Sequence, residues 1–182
     1  MAGEGEEVKT CKHCATPFTP QRPLQAVCSP RCAGRYVKAA KKAEAVQTRE
    51  RKAALKTNGQ KKAEAQKAVN YWIVHVRDKD EPCISCGKFH QGAWHAGHFR
   101  SRGSAPHLAL DPRNLAKQCA PCNLHLHGNL IEFRRGLIAR HGVSHVEELE
   151  ADQTPRHYSG DDFEAIKREY RALARESEKQ GA

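Results

Sequence analysis

Between Pro30 and Pro82 no proline interrupts the chain, and Ala, Lys, Arg and Glu fill most positions. That propensity predicts one or two helices, beginning near Ser29 or Ala33, with the break at Asn58-Gly59. Ahead of the break an apolar face would be almost entirely alanine, which predicts a solvated arm. Beyond it Ala65, Ala68, Val69, Trp72, Ile73 and Val76 recur at i, i+3, i+4 spacing, a stripe able to pack on a neighbouring domain. The same period returns in Leu130, Phe133, Leu137 and Ile138, stopped by Gly142, and again in Phe163, Ile166, Tyr170 and Leu173. Between these two stripes "SHVEELE" predicts a short helix with a capping box of Ser144 and Glu147. The pattern predicts a mostly helical α+β chain in four parts: an N-terminal module over 8–36, a basic helical arm over 37–79, a core over 80–142, and C-terminal helices and tail over 143–182.

Charge changes what those helices are for. The 182 residues carry a net charge of +10 with 6% aromatics, so any compact core is modest and much of the surface is basic. A polyanion is the matching partner, nucleic acid foremost. An anionic membrane would compete, but no apolar run approaches the ~18 residues a span needs. No membrane partner is expected, and "MAGEGEEVKT" has no hydrophobic signal core, which predicts a cytoplasmic protein. The arm over 37–79 is then a basic strip along a phosphate backbone, a dimer-forming helix, or only a charged surface helix.

The eight cysteines fall in two groups of four, Cys11, Cys14, Cys28, Cys32 and Cys83, Cys86, Cys119, Cys122, each opening with C-x-x-C. In a reducing compartment this spacing favours metal over disulfides, and two such knuckles supply the four thiolates of a tetrahedral zinc ion. Two structural zinc ions are therefore expected. The stretch over 8–36 has four prolines and few large apolar residues. Metal binding, with an apparent free energy of roughly 10 to 16 kcal/mol, must supply its stability. His13, inside the first knuckle, is an alternative ligand. Such a module can grip DNA, dock a partner or cap the helix that follows.

The second group encloses "WHAGHFRSRG" and "LDPRNL" and is followed by Asn123, His125 and His127. Zinc on the cysteines would clamp the ends of this insert and leave the histidines free. On a helix from about Pro121, Asn123 and His127 are i and i+4 and share a face, with His125 roughly opposite. Such a pair facing a hairpin histidine is a suitable cage for one catalytic divalent ion, Mg or Mn.

C-x-x-C, then a histidine, then Asn-Leu, then C-x-x-C-Asn resembles the HNH or ββα-metal nucleases over Cys83 to about Gly128. The resemblance implies a zinc-stabilised nuclease core with His98 as general base, Asn114 as the asparagine that pins the loop, and Asn123 and His127 as helix ligands. Gly97 stands where that family has an Asp or His ligand. His95 is the substitute, with Asp111 in reserve; in a regular strand His95 and His98 face opposite sides, so convergence requires a bulge at Gly97. His125 would orient other groups or touch phosphate. Arg100 and Arg102 would bind phosphates beside the base, with Lys117, Arg134 and Arg135 as further DNA contacts.

The stretch "HAGHFRSRGSAPHLALDPRNLAKQCAPCNLHLHGNLIEFRRGLIARHG" is also similar to the NinG or Rap proteins of lambdoid phages. This similarity implies an endonuclease acting on branched DNA such as Holliday junctions and D-loops in the bacterial host cell, with recombination proteins of phage or host as partners. A resolvase cutting two strands symmetrically needs two active sites, which predicts a homodimer. Gly97 leaves a second expectation open, a zinc-stabilised recombination mediator that binds branched DNA through a degenerate nuclease site.

Overall fold

The computed structural model describes residues 8–180. The opening residues behind the expectation of a missing signal core, through Glu7, lie outside them, as do the last two of the C-terminal tail. The chain divides into two compact units at Lys56–Thr57.

In the first unit β1 (Lys9–Thr10) pairs antiparallel with β2 (Pro17–Phe18), and α1 follows over Pro30–Ala54. Ser29 caps α1 by accepting the Cys32 amide at 3.2 Å, and Pro30 takes the first helical position, where no amide hydrogen is needed. No residue of α1 is buried, as its mostly alanine face leads one to expect.

The second unit opens with α2 over Asn58–Trp72. The interruption lies at Leu55–Thr57, just ahead of Asn58-Gly59, because Thr57 and Gln60 form a reciprocal capping box, at 3.3 and 3.0 Å. Asn58 and Gly59 thereby become first-turn residues. Residues 37–79 are thus shared between the two units. The helix continues as a π-turn over Ile73–Arg77, and then β3 (Trp94–His98) and β4 (Leu115–Cys119) form an antiparallel hairpin. A single π-turn over Pro121–His125 leads to α3 (Leu130–His141), α4 (Val143–Ala151) and α5 (Gly160–Gln180). Gly142, not a Ser144 capping box, precedes α4, and Ser144 lies within its first turn.

The hairpin separates two apolar clusters, because its residues alternate faces. Ala116 belongs with Ile84, Phe99, Leu108, Phe133, Leu137, Val146 and Leu149 on one side. Leu115 and Ala96 belong with Ala65, Val69, Ile73, Leu110 and Phe163 on the other, where α2 packs on α5.

A buried ionic node fastens the end of the first π-turn to β4 and α3. Asp78 takes Arg77 in a bidentate pair at 2.7 and 2.8 Å, accepts the Lys117 amide at 3.0 Å and lies 3.4 Å from Arg140. Arg77 also donates to the carbonyls of Pro112 and Leu115, both at 2.7 Å. Burial raises the Asp78 carboxyl, but the two guanidinium groups and the amide outweigh it and hold it below the usual carboxylate range. Its contribution is therefore complete above about pH 4 and lost as pH falls through the depressed value. Asp78→Ala, which leaves Arg77 with only the Pro112 and Leu115 carbonyls and Arg140 with only half-exposed Glu81, is expected to cost about 3 kcal/mol in urea unfolding at pH 7. It should also flatten the acid limb of the stability profile.

Candidate active site and metal centres

The two cysteine knuckles are one turn used twice. Ala15 N–H donates to Cys11 O and Gly87 N–H to Cys83 O, both at 2.9 Å, and both Ala15 (φ 57°) and Gly87 (φ 65°) are left-handed. In each unit a later cysteine amide donates to the first thiol, Cys28 to Cys11 Sγ and Cys119 to Cys83 Sγ, both at 3.4 Å. The sulfurs of Cys11, Cys14, Cys28 and Cys32 lie within 4.8 Å of one another, and so do those of Cys83, Cys86, Cys119 and Cys122. Either cluster could hold zinc. Burial and neighbouring thiols push Cys119 up to about 12, and Cys32, Cys14 and Cys11 push Cys28 up to about 12. Against burial, backbone amides hold Cys11 down to about 6 and lower Cys83, so within each cluster one thiol ionises readily while another stays protonated until a cation shares the charge, and the donor set fits one. His13 is exposed and outside its cluster.

Beside the hairpin lies a cavity of about 400 Å³ lined by His95, His98, Asn123 and Arg102, together with Asn70, Tyr71 and His75 from α2 and its π-turn. His98 is mostly buried, and its Nε2 lies 3.1 Å from Ala109 O. A carbonyl only accepts, so Nε2 carries the hydrogen and Nδ1 keeps a lone pair. Burial, partly opposed by that bond, lowers the imidazole below its ordinary range and keeps it neutral at pH 7. Asn114 is fully buried and spans the loop from β3 to β4. Its Oδ1 accepts Arg100 N–H at 2.8 Å, and its Nδ2 donates to Arg100 O at 3.0 Å and Leu108 O at 3.2 Å. Three backbone groups on one amide hold Ala109, and through it His98, in register.

Several expected residues are engaged elsewhere. The strand is regular, with five consecutive pairs from Trp94↔Cys119 to His98↔Leu115, so there is no bulge at Gly97, and His95 and His98 stand on opposite strand faces and do not converge as expected, although both line the cavity. Gly97 is a packing glycine: a Cβ there would run into Gln118 Oε1 and come within 3.0 Å of Phe133. Gln118 cannot yield easily, because its Nε2 is held by Ser85 Oγ at 2.7 Å and Gly128 O at 2.6 Å. His127 does not share a helix face with Asn123. The turn ends at His125, and His127 is exposed in the left-handed region (φ 49°), outside the cavity lining along with His125. Asp111, the reserve ligand, is paired with Arg113 at 2.8 Å and Arg156 at 3.1 Å. Arg100 caps the end of α4 by donating to the carbonyls of Leu149 at 3.0 Å and Asp152 at 2.7 Å, and so is not free for phosphate. Lys117 is buried against Lys79 O at 2.7 Å and over the Trp94 ring at 4.4 Å. Arg134 pairs with Glu150 and exposed Arg135 with Glu132, each at 2.7 Å. Of the five arginines and lysines read as DNA contacts, Arg102 alone lines the cavity.

His75, Asn70 and Tyr71 were not singled out by sequence pattern. Their signal is a polar side to the stripe of α2, and the π-turn widens the helix where His75 projects. Among the described residues no Asp or Glu lines the cavity. Among the described residues only the cysteine clusters gather three or more His, Cys, Asp or Glu ligand atoms within 4.8 Å.

Among the described residues no helix is long and apolar enough to cross a membrane. Protein ninG of Salmonella phage P22 is 45% identical over 120 residues, covering 66% of this chain and 59% of that protein. Protein ninG of Escherichia phage lambda is 43% identical over 120 residues, covering 66% and 58%. The match spans about three fifths of the length of these relatives. No solved structure matches the chain. The family model described as Bacteriophage Lambda NinG protein matches residues 5–180, nearly the whole sequence, and the chain belongs to that family.

Proposed function

We propose that the chain is a metal-dependent endonuclease of the HNH type, hydrolysing phosphodiesters in branched DNA, with His98 as the general base. The observation that carries this reading is the His98 Nε2 to Ala109 O bond, which leaves a neutral Nδ1 beside a cavity large enough for a phosphodiester. Water there gives its proton to Nδ1 as its oxygen attacks phosphorus, and the bond from phosphorus to the 3′ oxygen breaks. Arg102 is the cation at hand for a phosphate oxygen. Asn123 and His75 are the donors that would hold a divalent ion, which supplies charge neutralisation at the phosphate when bound; His95 lines the same cavity from the strand face opposite His98. An imidazole and an amide without a carboxylate make a modest site that suits Mn²⁺ better than Mg²⁺. The preference for branched substrates rests on the resemblance to structure-specific NinG and Rap endonucleases.

A recombination mediator with a degenerate site is the second reading, and the scattered non-cysteine donors together with Gly97 favour it. Nicking of synthetic four-way junctions and matched duplexes, with and without Mg²⁺ or Mn²⁺, separates the two. Junction cleavage that needs a divalent ion is the expected result. Asn123→Ala should cut more slowly and recover part of its rate at raised Mn²⁺. Junction binding without cleavage in any divalent ion would establish the mediator instead.

A further inference from the structure

A second groove, of about 380 Å³, lies between α2 and α5 in the same unit. Lys67, Ala68 and Tyr71 contribute from α2, and Tyr170, Arg171, Ala174, Arg175 and, as the one acid, Glu178 from α5. Its chemistry is ordered. Ala68 and Ala174, both buried, face one another where larger side chains would close the gap between the helices. Tyr71, 48% exposed, and half-buried Tyr170 provide aromatic surface. The Tyr170 ring is braced edge-on by Trp72 at 5.2 Å between centroids, and the Tyr71 hydroxyl is tied to Glu178 at 3.3 Å. Lys67, Arg171 and Arg175 are exposed and, among the described residues, have no ion-pair or hydrogen-bond partner. Tyr71 also lines the His98 cavity, so the two depressions share a wall.

Small floor, tyrosine walls and three unpaired cations match one kind of occupant. A flat π-system stacks on the tyrosines while its attached phosphate meets the arginines and lysine. A paired base inside a duplex cannot enter such a slot, because both its faces are already stacked. We infer that the α2–α5 groove is a binding site for an unpaired nucleotide of a single-stranded segment next to the strand held at His98. The inference rests on the nucleic-acid-binding half of the proposed function and not on cutting.

Fluorescence anisotropy without added divalent ion tests it, using a blunt duplex and the same duplex with a single-stranded tail. The unaltered protein should bind the tailed duplex more tightly. Arg171→Gln/Arg175→Gln and, separately, Ala174→Leu, which fills the slot without changing charge, should each lose that margin. A loss of about tenfold in tailed-duplex affinity is expected, with blunt-duplex affinity little changed by Ala174→Leu. The matched charge removal Lys62→Gln/Arg168→Gln, outside the groove, should weaken both ligands equally and preserve the margin. A margin that is absent from the unaltered protein, or that survives in both groove variants, overturns the inference. Absence of all DNA binding overturns the proposed function with it, whereas junction cleavage without a margin overturns the groove alone. A dimer in sedimentation that Ala174→Leu dissociates would assign the groove to a second copy of the chain and overturn it too.

Discussion

His98→Ala is expected to bind four-way junctions as the unaltered protein does while cutting them about 10²- to 10⁴-fold more slowly, the usual contribution of a positioned general base. The separation of binding from cutting follows from geometry. His98 contributes no charge at pH 7, and its one hydrogen bond runs to a loop carbonyl that Asn114 also braces from Leu108 and Arg100. Both cysteine clusters and Arg102 are untouched by the change. Raised Mn²⁺ should not restore the rate, in contrast to Asn123→Ala, because a lost base is not a lost ligand. The pH profile adds an independent check. Only the neutral imidazole accepts a proton, and burial lowers its pKa. Cleavage should therefore persist somewhat below pH 6.5 before falling. Single-turnover cleavage of a labelled junction measures all of this, and wild-type rates in His98→Ala would reject the assignment.

Removing metal is expected to have the largest effect on stability, and an uneven one. Purified reduced protein should contain about two zinc ions per chain, one per cysteine cluster. In the first unit α1 buries nothing and the strands are two residues long, so nothing apolar replaces the roughly 10 to 16 kcal/mol that a zinc site of this kind supplies. Chelation should leave residues 8–32 open to proteolysis while α1 frays. The second unit has two apolar clusters of its own and should retain α2, α3 and α5. The segment from Cys83 to Cys122 should loosen only locally around the cysteines, because Ile84 N–H to Lys117 O at 3.0 Å and Gln118 to Ser85 at 2.7 Å also tie its ends together. Atomic absorption combined with timed trypsin digestion reads both outcomes. Fewer than about 1.5 zinc per chain, or a first unit that resists digestion after chelation, would refute the scheme.

Cysteine spacing and helical stripes were legible because each depends on residues close in sequence. The C-x-x-C turns follow from local backbone geometry, and Phe133, Leu137 and Phe163 are buried as their spacing requires. Polar residues were harder, since their partners come from afar. Arg100 and Asp111 are indistinguishable in sequence from a phosphate contact and a metal ligand. They are spent on carbonyls 49 and 52 residues away and on Arg156, 45 residues away. His127 was misplaced because a helix was extended past a turn that ends after five residues. His75 was missed because a π-turn moves a side chain off the 3.6-residue period on which face assignments rest.

The packing of Gly97 against Gln118 also bears on which mutational routes are open to the chain. No point substitution at 97 can supply a donor beside His98, since a side chain there would point into Gln118 and Phe133 and away from the cavity. Shifting the strand by one residue would turn every other side chain around with it. Donors for the proposed divalent ion would instead come from segments at 70–75 and 123, distant in sequence. Variation in ion preference across descendants of this chain should therefore map to α2 and the turn after Cys122, with position 97 remaining silent.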